Sequence, residues 1–189
     1  MVFRLLEGKN VNLRVVEKED LAFLAEWFNN PEVFGEYNPL VQVSRTEIEK
    51  NYGEKKLEEA DFFIEGKDGR RIGGIWHFNV IHPAGNQLEI GYFMVSTERG
   101  KGYCTEAINI MIDYLFLSKN IERIQAQTDV RNVGSQKVLE KAGFKMEGTI
   151  RKPFFLRGQL RDTSLYSILR EEWKEPKILT KTAKGEKPF

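Results

Sequence analysis

Hydrophobic and polar positions alternate or recur at helical spacing along the first third of the chain. Residues 10–16 alternate as a strand does, with one face made of Val11, Leu13 and Val15. Apolar positions at helical spacing then predict a helix over 21–28, capped by Asp20, with one buried face formed by Leu21, Leu24, Ala25 and Phe28. Ser44 and Glu47 match a capping box and predict a second, highly charged helix over 44–59 at the surface.

The pattern from residue 61 onwards is richer in strands. Residues 61–80 predict a β-hairpin with its turn at the sequence KDGR, and 87–95 predict a further strand. A helix is predicted after residue 103, with an apolar stripe of Ile108, Met111, Ile112 and Leu115. The remaining predicted elements are a strand over 122–130, a short helix over 132–144 that ends at Gly143, and a closing antiparallel pair joined through LRGQLR.

This order of elements predicts an α/β or α+β fold with a mixed sheet. The length of 189 residues suits one domain, which we place at residues 1–175. The polar, basic stretch 176–189 is punctuated by proline and glycine and predicts a loose tail.

Charge and cysteine content exclude several classes of function. The net charge is +1, without the basic excess typical of nucleic-acid binders. One cysteine, Cys104, and two histidines exclude an intramolecular disulfide and make a Cys/His metal site improbable. The start lacks a secretory signal, and the most apolar helix is too short to span a bilayer, so we expect a cytoplasmic protein with neither a membrane nor a nucleic-acid partner.

A short basic turn, STERGKGYCTE, precedes the helix predicted after residue 103. Its glycines, Gly100 and Gly102, allow close approach of a bulky anion, and Arg99 and Lys101 add positive charge. A strand, a glycine turn and a helix N-terminus together form a phosphate-binding layout, although a tight turn with solvated charges fits the same residues. The dinucleotide and P-loop patterns both fail here.

The segments EIGYFMVSTERGKGYCTEAI and DVRNVGSQKVLEKAGF together resemble the GNAT N-acetyltransferase family. The segments WFNNPEVF and RDTSLYSILREEW are similar to its Rim-type branch, which includes acetyltransferases of ribosomal-protein N-termini. The resemblance implies a GNAT fold, with a mostly antiparallel mixed sheet splayed at a cofactor cleft and flanked by helices. It also implies transfer of acetyl from acetyl-CoA to a primary amine by direct attack in a ternary complex, with no metal.

The resemblance assigns most of the cofactor contacts to two segments. The backbone N–H groups of the turn are implied to hold the pyrophosphate; its residues are Arg99, Gly100, Lys101, Gly102, Tyr103, Cys104 and Thr105. Met94 and Val95, at the end of a strand splayed by a bulge in this family, are implied to meet the thioester and the pantetheine arm. Asn132 is implied to contact the same arm, and it also fits a plain helix cap.

Two residues are candidates for the chemistry. Glu89 could take the proton of the amine through water, although a strand glutamate paired with a lysine or arginine fits equally well. Ser135, in similarity to Rim-type relatives, is a candidate to protonate the leaving thiolate, or else a small residue chosen for close packing. Many family members carry a tyrosine acid seven residues after the motif asparagine, and Leu139 stands there in this chain.

Other reactive side chains favour ordinary structural roles. Cys104 reads as a small buried residue rather than a nucleophile, and Lys137 and Lys141 as a solvated helix face. His77 is expected to be an ordinary strand histidine, with a place in the acceptor cleft as the alternative, and His82 a loop residue.

The acceptor stays open at the level of sequence. The Rim-type resemblance favours a protein N-terminal α-amine, and a polyamine or drug amine is the alternative within the same activity. The acidity of residues 20–60 suits a cationic acceptor or a solvated helix surface. A non-catalytic acetyl-CoA sensor module and transfer of a longer acyl group are further alternatives, and either a monomer or a homodimer fits the sequence.

Overall fold

The computed structural model describes residues 6–54, 60–80 and 87–178. The strands are β1 (Leu6–Glu7), β2 (Val11–Val15), β3 (Ala60–Gly66), β4 (Arg71–Val80), β5 (Gln87–Met94), β6 (Arg123–Asp129), β7 (Lys145–Leu156) and β8 (Gln159–Leu169). The α-helices are α1 (Leu21–Phe28), α2 (Pro31–Phe34), α3 (Arg45–Gly53), α4 (Tyr103–Ser118) and α5 (Val133–Ala142). The predicted order of elements is confirmed, with α2 and the short β1 added. Residues 55–59 of the second predicted helix, His82 and positions 179–189 of the predicted tail lie outside the described residues.

The strands form one eight-stranded mixed sheet in the order β1-β2-β3-β4-β5-β6-β8-β7. Strands β5 and β6 are parallel, and every other neighbouring pair is antiparallel. A parallel pair needs a crossover connection, and α4 supplies it between β5 and β6. The predicted mixed and mostly antiparallel sheet is therefore confirmed.

Helices α4 and α5 cover one face of the sheet, which we call the α4 face. Leu88 and Ile90 of β5 point into this face and pack in one buried cluster with the predicted stripe of α4. The four residues of that stripe are almost completely buried: Ile108, Met111, Ile112 and Leu115. Burial of so much apolar surface, at about 25 cal/mol per Å², fixes α4 against the sheet.

Helices α1, α2 and α3 lie on the opposite face, which we call the α1 face. Trp27, Phe34 and Phe93 meet there at ring-centroid distances of 5.1 to 5.3 Å in edge-on contacts. The buried side of α1 is formed by Leu21, Leu24 and Trp27, whereas the predicted Ala25 and Phe28 are only half-buried.

The first strand and helix differ in detail from the simplest reading of the sequence. Val15, at the end of β2, is 45% exposed although it alternates with the buried Val11 and Leu13, and the next residue, Val16, is buried in the cluster on the α1 face. Asp20 occupies the N-cap of α1, but its side chain makes no cap hydrogen bond. Its carboxylate instead pairs with Arg14 at 2.8 Å and with Arg71 at 2.6 Å. Burial opposes the charge of Asp20, but hydrogen bonds from Arg14 and the Glu17 N–H outweigh it and lower the pKa of Asp20.

Other local expectations are confirmed. Ser44 and Glu47 form the reciprocal capping box at the start of α3. Gly143 ends α5 with a φ of 102°, a left-handed conformation that favours glycine.

The chain after β8 returns across α4. The buried carboxylate of Asp113 in α4 accepts a hydrogen bond from Trp173 Nε1 at 2.8 Å and another from the Ile178 N–H at 2.7 Å. Lys177 donates to the carbonyl oxygen of Ala142 at 3.3 Å. Residues 176–178, the first part of the predicted tail, therefore lie against α4 and α5. Within the three described ranges, no helix is both long and apolar enough to cross a bilayer.

Candidate active site

Strands β5 and β6 diverge soon after they meet. Their pairing covers only Leu88 with Ile124 and Glu89 with Gln125. The register between β5 and β4 runs without a shift from Gly73 opposite Met94 to the other end of the pair. The expected splay is present, but the pairing of β5 with β4 shows no bulge of the kind that the resemblance implied.

Where β5 has separated from β6, the backbone of Met94 lies at the open edge of β5. Val95 donates its N–H to the carbonyl oxygen of Ile72, the residue before Gly73 in β4. Because successive N–H groups of a strand point to opposite edges, Met94 directs its N–H away from β4, toward β6. Val95 packs its side chain against the cluster on the α1 face. The two adjacent residues therefore differ: Met94 lines the cleft and Val95 does not.

A cavity of about 580 Å³ opens between the diverging strands and the start of α4. Of the predicted cofactor residues, the structure places eight in its wall: Met94, Arg99, Gly100, Gly102, Tyr103, Cys104, Thr105 and Asn132. Gly100 and Gly102 have φ values of 77° and 83°, and a Cβ built on either would meet no atom within 4 Å. The N-cap of α4 is Gly102, which has no side chain to cap the helix, and among the described residues no side chain bonds the N–H groups of the first turn. An open, left-handed glycine turn at a helix N-terminus fits a phosphate group.

The two cations of the turn have partners within the protein. Arg99 donates from Nε to the carbonyl oxygen of Met94 at 3.0 Å. Lys101 pairs with Glu98 at 2.9 Å and does not line the cavity, and the hydrogen bond from Lys101 lowers the pKa of the Glu98 carboxyl. Lys137 and Lys141 are exposed, and both lie in the cavity wall. The turn therefore presents mainly backbone to the cavity, with the two lysines of α5 on its far side.

The start of α5 brings three polar groups together. Asn132 caps the helix by accepting the Ser135 N–H at 3.0 Å, as predicted. The Ser135 hydroxyl lies 2.7 Å from the hydroxyl of Tyr92, and both residues line the cavity. Burial raises the pKa of Tyr92 well above its usual range. The sequence motifs did not indicate that Tyr92 lies at the site. A buried tyrosine hydroxyl usually has a hydrogen-bond partner, and this requirement was the one signal that could have indicated it.

Neither Cys104 nor Leu139 supplies a reactive group to the cleft, although Cys104 is half-buried in the cavity wall and not fully buried. Burial raises the pKa of the Cys104 thiol to about 12, despite its place at the start of α4. Leu139 is completely buried in the core on the α4 face. The thiol is therefore a poor nucleophile near neutral pH, and no acid stands at position 139.

Glu89 stands at the vertex of the splay, on the α1 face. It is 9% exposed, and its carboxylate accepts hydrogen bonds from Gln125 Nε2 at 2.8 Å and Gln127 Nε2 at 3.1 Å. Thr163 in turn donates to Gln127 Oε1 at 3.1 Å. Within the described parts of the chain no lysine or arginine forms an ion pair with Glu89, so the expected alternative of a paired strand glutamate is not what the structure shows. Glu89 does not line the cavity, although the cavity wall includes residues of both faces of the sheet, such as Phe93 on the α1 face and Tyr92 on the α4 face.

A loop over residues 35–38, which we call the roof loop, closes one side of the cavity. Arg157, in the turn between β7 and β8, donates to the carbonyl oxygens of Gly35 and Glu36 at 3.0 and 3.1 Å. Tyr37 donates its hydroxyl to the carbonyl oxygen of Arg131 at 3.4 Å. These contacts join residues about 94 to 122 positions apart in sequence, so no local pattern could have indicated them.

His77 belongs to the core and not to the cleft. It is 2% exposed on the α4 face, with its ring 6.3 Å from that of Tyr114. The expectation of an ordinary strand histidine agrees with this position.

Comparison with known proteins gives the same picture. The family model described as "Acetyltransferase (GNAT) domain" matches residues 10–145. A probable N-acetyltransferase of Bacillus subtilis, YjcK, is 34% identical, over 89% of this chain and 98% of that protein.

Two solved structures bear on the ligands. RimJ of Mycobacterium smegmatis, in complex with CoA-disulfide, has a TM-score of 0.77 and 26% identity over 92% of this chain and 88% of that one. A spermidine N-acetyltransferase of Vibrio cholerae, in complex with CoA and spermine, has a TM-score of 0.75 and 25% identity over 88% of this chain and 99% of that one. One of the two is named for spermidine and the other only as RimJ, and they are about equally similar to this chain, so similarity alone does not choose an acceptor.

Proposed function

Since this chain belongs to the GNAT acetyltransferase family and is an N-acetyltransferase, we propose that it transfers acetyl from acetyl-CoA to the N-terminal α-amine of a polypeptide. The observation that carries the proposal is the cleft that joins the glycine turn to the Tyr92–Ser135 pair; Glu89 lies outside its wall, where the pairing of β5 with β6 ends. Binding groups and proton-accepting groups thus lie on the two sides of one opening in the sheet.

Acetyl-CoA supplies the acetyl group as a thioester. Gly100 and Gly102 leave room for its phosphates beside the free N–H groups of α4, and the two lysines of α5 face the same space. Met94, through its N–H, and Asn132 are placed along the wall toward Ser135. The residues present therefore fit the co-substrate, and they need no metal ion for these contacts.

Glu89 serves as the base for the amine. Its carboxylate faces the side of the sheet away from α4 and α5, so an acceptor that approaches over the α1 face meets it first. Gln125 and Gln127 hold the carboxylate by neutral amide donors, and among the described residues no ammonium or guanidinium ion pairs with it. Because Glu89 is off the cavity wall, a water molecule carries the proton from the amine to it.

The charges around the roof loop favour an α-amine over a polyamine. Three guanidinium groups reach this loop: Arg157 bonds its carbonyls, Arg131 lies 5.7 Å from the Tyr37 ring, and Arg99 lies beside Gly35. The loop carries one acidic side chain, that of Glu36. Arg131 is paired with Asp129 at 2.6 Å, so Arg157 and Arg99 carry the positive charge of this entrance. That charge disfavours a polycation more than a peptide, which presents one amine followed by neutral backbone.

The acidity of residues 20–60 finds an explanation in the helix surface. Glu47 caps α3, Glu49 pairs with Arg45 at 2.8 Å, and Glu54 lies 3.9 Å from Lys50. These carboxylates already have partners on an exposed helix, and pairs of that kind are typical of solvated surfaces. Their presence therefore gives no specific support to a cationic acceptor.

The test mixes the protein with acetyl-CoA and follows thiol release with peptides of varied free N-termini, spermidine and aminoglycosides. Release that depends on peptides, and that persists toward pH 7 because α-amines have a pKa of about 7.7–8.0, supports the proposal. Release with spermidine alone assigns the small-amine alternative. Binding of acetyl-CoA without release for any amine assigns a sensor module.

A pair of variants tests the base. Glu89→Gln is expected to lower kcat/KM for the accepted amine by about 10²- to 10⁴-fold, the range for loss of a general base. Glu49→Gln, which changes a half-buried glutamate on α3, is the matched control and keeps the wild-type value. Equal activity in both variants removes Glu89 from the mechanism.

A further inference from the structure

We propose that Tyr92 positions Ser135 for departure of the thiol: the phenol donates to the Ser135 hydroxyl, which then directs its own proton to the sulfur that leaves. The inference rests on the proposed acetyl transfer, and it assigns the step for which the usual tyrosine, at the position of Leu139, is missing.

The main hydrogen-bond partner of the Tyr92 hydroxyl is the hydroxyl of Ser135. Tyr92 Oη is 2.7 Å from Ser135 Oγ and 3.5 Å from the Ser135 carbonyl oxygen, so the hydroxyl is its main partner. The Ser135 N–H is already held by Asn132. Tyr92 is on β5 and Ser135 on α5, and both line the cavity between the splayed strands, so the pair spans the cleft near its narrow end.

The direction of the hydrogen bond follows from the acidity of the two groups. A phenol is a stronger donor than an alkyl hydroxyl, and burial raises the pKa of Tyr92, so the phenol keeps its proton at any working pH. Tyr92 therefore donates and Ser135 accepts. The proton of Ser135 is then free to point into the cavity, and a hydroxyl that accepts one hydrogen bond becomes a better donor of the next.

The balance of the step requires no ionised tyrosine or serine. The amine nitrogen forms a bond to the acetyl carbon, and the bond from that carbon to sulfur breaks, with its electron pair on sulfur. The proton lost by nitrogen passes through water to Glu89. Ser135 donates a hydrogen bond to the sulfur and keeps its proton, while Tyr92 stays neutral and fixes the orientation of Ser135.

The first test measures binding and needs no acceptor. A cysteine thiol has a pKa of about 8.5, and the CoA thiol likewise ionises in the alkaline range, so the thiolate fraction of CoA rises between pH 7 and pH 9.5. Wild-type protein is expected to gain about tenfold in CoA affinity, relative to acetyl-CoA, over that range, since hydrogen bonds to charged groups are the stronger ones. Tyr92→Phe and Ser135→Ala lose most of this gain and keep the wild-type affinity for acetyl-CoA.

The second test measures turnover with the amine that supports thiol release. Ser135→Ala is expected to lower kcat by about 10- to 100-fold and Tyr92→Phe by about tenfold, each with little change in KM for acetyl-CoA. The double variant falls no further than Ser135→Ala, because both changes remove one chain of hydrogen bonds. Tyr166→Phe is the matched control: it removes a hydroxyl from the same core, bonded to Glu140 at 3.3 Å, and keeps the wild-type kcat.

The outcomes separate this inference from the proposed function. A Tyr92→Phe protein with an unchanged pH dependence of CoA binding overturns the positioning role, whether or not an acceptor is found. Additive losses in the double variant also overturn it. Wild-type protein that binds CoA but releases no thiol with any amine ends the proposed function, and the binding measurement still decides on Tyr92.

Discussion

Replacement of Gly102 by alanine tests two properties of the glycine turn separately. One is its left-handed backbone conformation, which affects stability, and the other is the open space beside it, which affects ligand binding. Gly102 has a φ of 83°, and an added Cβ would meet no atom within 4 Å. The cost to stability is therefore backbone strain alone, about 1–2 kcal/mol for a non-glycine residue in the left-handed region. For a chain of this size that corresponds to a fall in Tm of about 2–8 °C.

Gly143→Ala is the matched control for this strain. Gly143 is also a left-handed helix cap, with a φ of 102°, and its added Cβ would make only ordinary contacts at 3.7 Å with Ile168 and 3.8 Å with Lys177. It lies outside the cavity wall, whereas Gly102 lies in it. Both variants are expected to lose similar stability, measured by thermal unfolding without ligand.

Only Gly102→Ala is expected to weaken the binding of acetyl-CoA, because the added methyl group occupies the open space that we assign to the phosphates. We expect Gly102→Ala to raise Kd at least about tenfold, equal to 1.4 kcal/mol, in isothermal titration calorimetry at 25 °C. Gly143→Ala is expected to keep the wild-type Kd. Wild-type affinity in Gly102→Ala would refute the assignment of the turn to the phosphates. An equal loss in both variants would trace the effect to general destabilisation.

Three further predictions concern stability and reactivity. Asp113→Asn is expected to lower the free energy of unfolding in urea by about 2 kcal/mol, since a charged acceptor of two hydrogen bonds becomes neutral, and a stable variant would show that the Trp173 contact contributes little. The lowered pKa of Asp20 means that its contribution to stability is present above its unfolded pKa of about 3.9 and is lost as the pH falls through its folded pKa. Unfolding measured from pH 6 to pH 2 should therefore show a steeper acid loss for wild type than for Asp20→Asn, and identical slopes contradict this. Because burial raises the pKa of Cys104, the native thiol should react with iodoacetamide at pH 8 at least about a hundredfold more slowly than in the urea-unfolded chain, and comparable rates would show an exposed thiolate.

Local patterns were sufficient for most elements of the fold. The stripe of α4, the capping box at Ser44 and the glycine stop at Gly143 each depend on residues within a few positions, and each is confirmed. Asp20 shows where this reasoning ends. Its sequence context is that of a helix cap, but Arg14 and Arg71 come to it through strand pairing, which no local pattern contains.

The site divides in the same way. The glycine turn and the cap formed by Asn132 are local signals, and the structure places both in the wall of one cavity. The Tyr92–Ser135 contact joins residues 43 positions apart, and the contact of Gln127 with Glu89 joins residues 38 apart. Such pairs depend on the register of β5 with β6 and on where α5 packs against the sheet. Both are defined only in the folded chain.

The fastening of the roof loop has an evolutionary consequence. Arg157 grips carbonyl oxygens of Gly35 and Glu36, and the hydroxyl of Tyr37 reaches another carbonyl. Because Arg157 donates to backbone carbonyl oxygens, the side chain at position 36 can change without loss of these hydrogen bonds. Mutation there can alter what the entrance accepts while the cavity behind it stays intact. A scaffold so arranged allows new acceptors to be acquired one residue at a time, with the acetyl donor and its site inherited unchanged.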